Sequence, residues 1–190
     1  DPTVPTIFVM GGSLGAQAIN DVVLDSLPLL IEKYNIIHQA GRDNLKEVEG
    51  VARLTTEHSR FDNRYRAFGL LNTLAIRMAA GVADIIISRA GSGTIFEVAS
   101  WGIPSILVPI PIDVSHDQIK NAFSYSRTGA ATVIEQQNLT PHVLLAEIDR
   151  VVGSQEIQAS MKAAALAFSR KDAAGKIAKV VLDIALEHTS

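Results

Sequence analysis

The sequence predicts a doubly wound, Rossmann-like α/β fold built on a parallel six-stranded sheet. Three observations predict it. Short β-branched runs alternate with longer segments of helical pattern along most of the 190 residues. Several of those runs are apolar without alternation, as expected of parallel strands covered on both faces. Two glycine-rich turns each lead from a strand into a helix, at positions that a winding reversal would bring together.

The elements follow in order. Strands are expected at residues 6–10, 36–39, 65–68, 85–88, 105–108 and 131–134, each a short run rich in Ile, Val, Phe, Tyr or Thr. Between them, helices are expected at 16–32, 44–54, 71–80, 94–101 and 117–127. Helices at 141–152 and 160–168 and an amphipathic run at 172–187 come after the sixth strand. Right-handed crossovers must place helices on both faces, so the expected strand order is 3-2-1-4-5-6. In that order the winding reverses between the first and fourth strands, whose carboxyl ends open a crevice for a ligand.

Composition narrows the function. Hydrophobic residues make up 47% of the chain, enough for one sizeable core, so one domain is expected over 6–190. The Pro-rich opening DPTVP, beginning at Asp1, reads as a linker remnant over 1–5. A net charge of −3 supplies no global field for nucleic acid. No apolar run approaches the roughly 20 residues of a membrane span. Cysteine is absent, which removes disulfides and thiolate chemistry.

Three segments carry the chemistry. In VMGGSLGAQAIN, Gly11, Gly12, Ser13 and Gly15 lead from strand to helix, where backbone N–H groups approach an anion; the alternative is a tight turn without a ligand. Met10 stands where a dinucleotide fingerprint needs its first glycine, and the second strand ends without a ribose-binding acid, so a nicotinamide dehydrogenase is disfavoured. In ISRAGSGTIFEVASWGIPSILVP, Gly91, Ser92, Gly93 and Thr94 offer N–H donors and hydroxyls to a diphosphate. Glu97, expected on the first turn of the next helix, either complements the helix dipole or accepts hydrogen bonds from two adjacent sugar hydroxyls. In PIPIDVSHDQIKNA, Pro109 and Pro111 stiffen the exit from the fifth strand and Ser115 is positioned to cap a helix. Asp117, Gln118 and Asn121 follow in its first turns. The two amides suit recognition of sugar hydroxyls, or are an ordinary polar helix start.

The ordered set GGSLGAQAIN, HQAGR, YRAFG, ISRAGSGTIFEVASWGIPSILVPIP and HDQIKNA resembles the C-terminal half of the MurG family of bacterial N-acetylglucosaminyltransferases, glycosyltransferase family 28. The resemblance runs from about Thr6 to the end. It implies the C-terminal domain of a two-domain GT-B fold that binds UDP-N-acetylglucosamine without a metal or other cofactor. The family moves GlcNAc to the MurNAc 4-hydroxyl of lipid I, making lipid II for peptidoglycan, hence cell shape and division. It works as a cytoplasmic, peripheral enzyme at the inner face of the plasma membrane. By the same resemblance, Gly12 and Ser13 lie at the diphosphate, and Gly91, Ser92, Gly93 and Thr94 face it. Glu97 holds the uridine ribose, backbone around Phe68, Gly69 and Leu70 reads the uracil, and Asp117, Gln118 and Asn121 lie near the GlcNAc. Many relatives read Asp-His-Gln where this chain has His116-Asp117-Gln118.

The implied reaction is an inverting displacement at the anomeric carbon with UDP departing. Its general base and its lipid I surface are expected in an N-terminal half, toward which the run at 172–187 would pack, so no catalytic base is assigned in this chain. The five histidines show no metal-ligand spacing, and no metal site is expected. Three alternatives stay open: a free-standing donor-binding subunit of a two-piece GlcNAc-transferase, a UDP-GlcNAc 2-epimerase-like GT-B enzyme, and a non-catalytic nucleotide-binding module.

Overall fold

The computed structural model describes residues 1–11, 16–169 and 172–187. Six parallel strands form one sheet: β1 (Thr6–Met10), β2 (Asn35–Gln39), β3 (Tyr65–Phe68), β4 (Ile85–Ser88), β5 (Ser105–Leu107) and β6 (Ala131–Val133). Their order is β3-β2-β1-β4-β5-β6, as the crossover rule requires. Eight α-helices are described: α1 (Gln17–Lys33), α2 (Leu45–Thr56), α3 (Thr73–Val82), α4 (Ser92–Trp101), α5 (His116–Ser126), α6 (Pro141–Val152), α7 (Gln155–Phe168) and α8 (Ala173–Glu187).

Strand parity divides the core. Ile7, Val9, Ile85, Ile87 and Ile106 turn to one face and pack with buried residues of α1, α2 and α6. Phe8, Met10, Ile86 and Leu107 turn to the other, against α3, α4 and α5. The near-continuous apolar runs of the central strands β1 and β4 are therefore what a sheet covered on both sides demands.

Three helix starts differ by two residues or more from the sequence reading. Helix α7 begins five residues earlier than expected because Ser154 caps it, its side chain accepting the Ile157 N–H. Helix α3 begins at Thr73, where Asn72 accepts the Ala75 N–H at 2.9 Å. Helix α4 begins at Ser92, two residues before the expected start, with Gly91 as its N-cap.

Helix α4 is also sharply ended. Gly102 takes the left-handed conformation at φ 66°, and its N–H reaches the carbonyls of Val98 and Ala99. A Cβ there would lie 2.8 Å from two side-chain carbons of Leu166 on α7. The Gly102→Ala variant should lose at least about 1–2 kcal/mol of stability from left-handed strain alone. Chemical denaturation checks this, and an unchanged midpoint would contradict the assigned cap.

Candidate functional site

The carboxyl edge of the sheet is where the winding reverses. Met10 registers with Ser88 across β1 and β4, so the turns that follow these two strands leave the sheet side by side. Gly12 and Ser13, in the first of those turns, lie outside the described residues. The second turn is fully described.

Helix α4 starts there with no side-chain cap. Ile95 is the first of its residues with a backbone N–H bonded inside the turn, to the Gly91 carbonyl at 3.0 Å. The N–H groups of Ser92, Gly93 and Thr94 are left to point along the axis toward the crevice, as orphan donors at a helix start do. The glycines of this turn are not explained by the fold. Gly91 sits at φ −64°, which any residue adopts, and a Cβ on Gly93 would meet nothing within 4 Å. Glycine in a helix costs roughly 0.5–1 kcal/mol relative to alanine, so the chain retains bare backbone where packing does not ask for it.

The early start of α4 relocates Glu97. It stands on the second turn, not the first, beyond the span over which the helix dipole favours a carboxylate. Dipole complementation therefore fails as its explanation. Glu97 is exposed; its backbone carbonyl accepts the Ser100 hydroxyl at 2.7 Å, but its carboxylate has no hydrogen-bond or ion-pair partner among the described residues. It lies four residues after Gly93 on one helix face, and helical side chains lean toward the N-terminus. With no side chain on Gly93, the path from the helix start to this carboxylate is open.

Gln118 and Asn121 do something the sequence did not disclose. The Gln118 Oε1 accepts the N–H groups of Ala90 and Ile110, both at 3.2 Å, and the Asn121 Nδ2 donates to the Ala90 carbonyl at 3.4 Å. Both sides of one residue, Ala90, are thus held from α5, which ties the turn after β4 to the segment after β5. The Gln118 amide NH2 and the Asn121 carbonyl oxygen keep no partner among the described residues. Ser115 occupies the N-cap of α5, but its side chain makes no capping bond. Asp117 is exposed in that helix's first turn.

The segment Phe68-Gly69-Leu70 borders the same edge on the β3 side, with Phe68 and Leu70 exposed. Two contacts from the end of β2 hold it. The Phe68 carbonyl accepts the Ala40 N–H at 2.9 Å, and the buried Gln39 accepts the Leu71 N–H at 3.0 Å. Beneath them His38 is enclosed, with Nε2 3.0 Å from Asn20 Oδ1 and Nδ1 2.8 Å from the Tyr65 hydroxyl. Asn20 donates its Nδ2 to the Ala40 carbonyl, so its oxygen is the acceptor for His38. Nε2 then carries the proton and Nδ1 accepts from Tyr65.

Sequence reasoning assigned no role to Asn20, His38, Gln39 or Arg89. The usable signal was polarity at the end of an apolar strand, as in His38-Gln39, and an amide on the inner face of α1. Among the described residues there is no cluster of His, Cys, Asp and Glu suited to a metal, and no helix long and apolar enough to cross a membrane. A cleft of about 450 Å³ lies at the opposite, amino edge, lined by residues such as Asp84, Trp101, Pro104 and Lys162. It is remote from the glycine turns.

A parallel sheet of this order, with a bare helix start at its reversal point, defines a doubly wound α/β domain of the class whose ligands sit at that point. The comparisons give the family. Residues 6–177 match the glycosyltransferase family 28 C-terminal domain, and the chain belongs to that family. It is 36% identical over 182 residues to a Sorangium cellulosum UDP-N-acetylglucosamine–N-acetylmuramyl-(pentapeptide) pyrophosphoryl-undecaprenol N-acetylglucosamine transferase, covering 94% of this chain and 44% of the relative. The Clostridium novyi enzyme of the same name is 40% identical over 156 residues, covering 80% and 40%. The crystal structure of Acinetobacter baumannii MurG superposes with a TM-score of 0.79 at 27% identity, covering 95% of this chain and 50% of that one. This chain therefore spans half or less of each relative. A candidate UDP-N-acetylglucosamine 2-epimerase from Listeria monocytogenes, at 13% identity and TM-score 0.70 over 97% of this chain and 46% of that one, shares the fold alone.

Burial lowers the His38 pKa from 6.5 to about 4, so the imidazole is neutral in the folded chain at pH 7. The unfolded chain binds that proton more readily. Stability should therefore be complete above pH 6.5 and fall as the pH drops toward 4, by on the order of 3 kcal/mol. Denaturation midpoints over this window should decline less steeply for His38→Gln than for the parent chain; parallel slopes would refute the assignment.

Proposed function

We propose that this chain is the donor-binding half of an inverting glycosyltransferase that moves GlcNAc from UDP-GlcNAc to the MurNAc 4-hydroxyl of lipid I. The observation that carries this reading is the start of α4, where Gly93 faces open space in line with the unpartnered carboxylate of Glu97. Its free N–H groups suit a diphosphate, and a carboxylate one turn further along suits the two hydroxyls of a ribose. Gly12 and Ser13 would add backbone and hydroxyl donors from the first turn. Backbone at Phe68, Gly69 and Leu70 would read the uracil edge, as a segment anchored to β2 is stiff enough to do.

Gln118 keeps a free NH2 and Asn121 a free carbonyl oxygen, so both have a hydrogen-bonding group to offer the GlcNAc while they hold Ala90 in place. Asp117, exposed beside them, is assigned to the same end of the donor. Donor binding in this scheme uses no metal ion and no cofactor.

Departure of UDP places growing negative charge on the diphosphate, where fixed N–H donors stabilise the transition state more than the bound donor. A helix end contributes at most about 2 kcal/mol, against the roughly 8–23 kcal/mol by which enzymes lower barriers. Alignment of donor and acceptor, and a base on the attacking hydroxyl, must contribute the larger part. We assign both to the half of the relatives' length that this chain does not span. The same half would carry lipid I and the contact with the inner face of the plasma membrane. Helix α8 fits such an arrangement, since Ile177, Val180, Val181 and Ile184 form an exposed stripe at helical spacing. We assign its apolar face to that other half.

Two variants test the donor site by calorimetry. Glu97→Gln should weaken UDP binding by about 1.5–3 kcal/mol, the range for hydrogen bonds to a charged group, with the thermal midpoint unchanged. Equal affinity of the parent chain for UDP and ADP would end the uridine assignment. Gly93→Ala should stabilise the free chain by up to about 1 kcal/mol while weakening UDP, because the added methyl occupies the ligand's approach. A variant that is stabilised and still binds UDP with parent affinity would show that nothing comes close to Gly93.

A further inference from the structure

Arg89 follows the last residue of β4, one position beyond the pair Met10 and Ser88, and so stands level with Gly11 at the winding reversal. Its side chain is half-buried. Among the described residues only Nη1 has acceptors, the carbonyls of Val108 at 3.2 Å and Pro109 at 3.4 Å, where β5 ends. Nε and Nη2 have no acceptor among the described residues, and no carboxylate lies within ion-pairing distance of the guanidinium.

That arrangement is costly if the fold is its only purpose. A guanidinium stays protonated at any physiological pH, and burial here disfavours its charged form. A charge withdrawn from water without a counter-ion destabilises the chain that carries it. Two backbone carbonyls satisfy one of its nitrogens and leave its charge without a counter-ion among the described residues. Two other arginines are ion-paired, Arg64 with Asp1 at 2.6 Å and Arg150 with Glu147 at 2.6 Å.

We infer that Arg89 is the fixed counter-charge for the diphosphate of the bound nucleotide sugar. The inference rests on the donor-binding reading above and adds a residue to it. The unpartnered side of the guanidinium meets the phosphate oxygens, and the planar fork suits two of them at once. Through Nη1 the same side chain fixes Val108 and Pro109, the lead into α5. Arrival of the diphosphate is thereby coupled to the position of Gln118 and Asn121, which hold the turn after β4. Arg89 binds and positions; it takes no part in proton transfer.

The test compares Arg89→Met and Arg89→Lys with the parent chain, titrating each with uridine, UDP and ADP at low and high salt, and melting each without ligand. Arg89→Met should lose about ten- to hundredfold in UDP affinity with uridine affinity unchanged. Arg89→Lys should fall between, keeping the charge without the fork. The salt dependence of UDP binding should flatten in Arg89→Met, and its ligand-free melting temperature should hold or rise as an unpaired charge is removed. Equal losses for uridine and UDP, or a lower melting temperature with the UDP-to-uridine ratio intact, would make Arg89 a structural strut and overturn the inference. If the parent chain binds ADP as well as UDP, the uridine reading fails while the diphosphate-to-nucleoside ratio still decides Arg89. If it binds neither diphosphate, both fall.

Discussion

Every crossover in this sheet has to be right-handed, and that constraint governs where chemistry is possible. Winding β1 to β2 to β3 puts α1 and α2 on one face; winding β4 to β5 to β6 in the other direction puts α4 and α5 on the opposite face. The turns after β1 and β4 must then part company at their shared border. A gap forms there that no side chain of the core is obliged to fill, because helices leave from it in both directions. The start of α4 opens into that gap, and its N–H groups, which a helix cannot satisfy itself, are therefore presented to whatever enters.

Rigidity at this edge comes from amides, not from packing. Gln118 and Asn121 hold Ala90 from α5, Gln39 holds Leu71 from β2, and Asn20 fixes His38 and Ala40 together. Each bond joins two elements that the sheet alone leaves free to drift. Amide side chains suit this work because they donate and accept at once, so one residue reaches two backbone groups or one group and a ligand. The consequence for Gln118 is a double duty. Loss of its side chain would disturb the α4 turn as well as any sugar contact, so a simple truncation there conflates the two.

The strand order, the six strands and both helical layers were legible in the sequence because each rests on local pattern plus one global rule of handedness. Placement of Glu97 was not. It depended on whether α4 begins at Ser92 or Thr94, and hydroxyl residues at both positions are equally good near a helix start. Gly91 took the cap position, and with it the dipole explanation of Glu97 disappeared. The roles of Gln118 and Asn121 were half legible: spacing put them on one face of α5, but their partner, Ala90, is a backbone group 28 and 31 residues away and leaves no trace in composition. His38 and Gln39 were invisible for the same reason, since their partners come from α1, β3 and the segment after β3.

The site also explains an imbalance in how charge is distributed. Among the described residues Glu97 has no cation beside it and Arg89 no anion, though both border the same turn. Opposite charges that near one another in sequence could have paired and neutralised one another at the surface. They do not, because they leave on different elements: Glu97 from the second turn of α4, and Arg89 from the end of β4 toward β5. Keeping them apart preserves two separate demands at one edge, an acceptor for neutral hydroxyls and a donor for negative oxygens. On the proposed reading, the ligand that meets both carries a polyol and an anion, as a nucleoside diphosphate does.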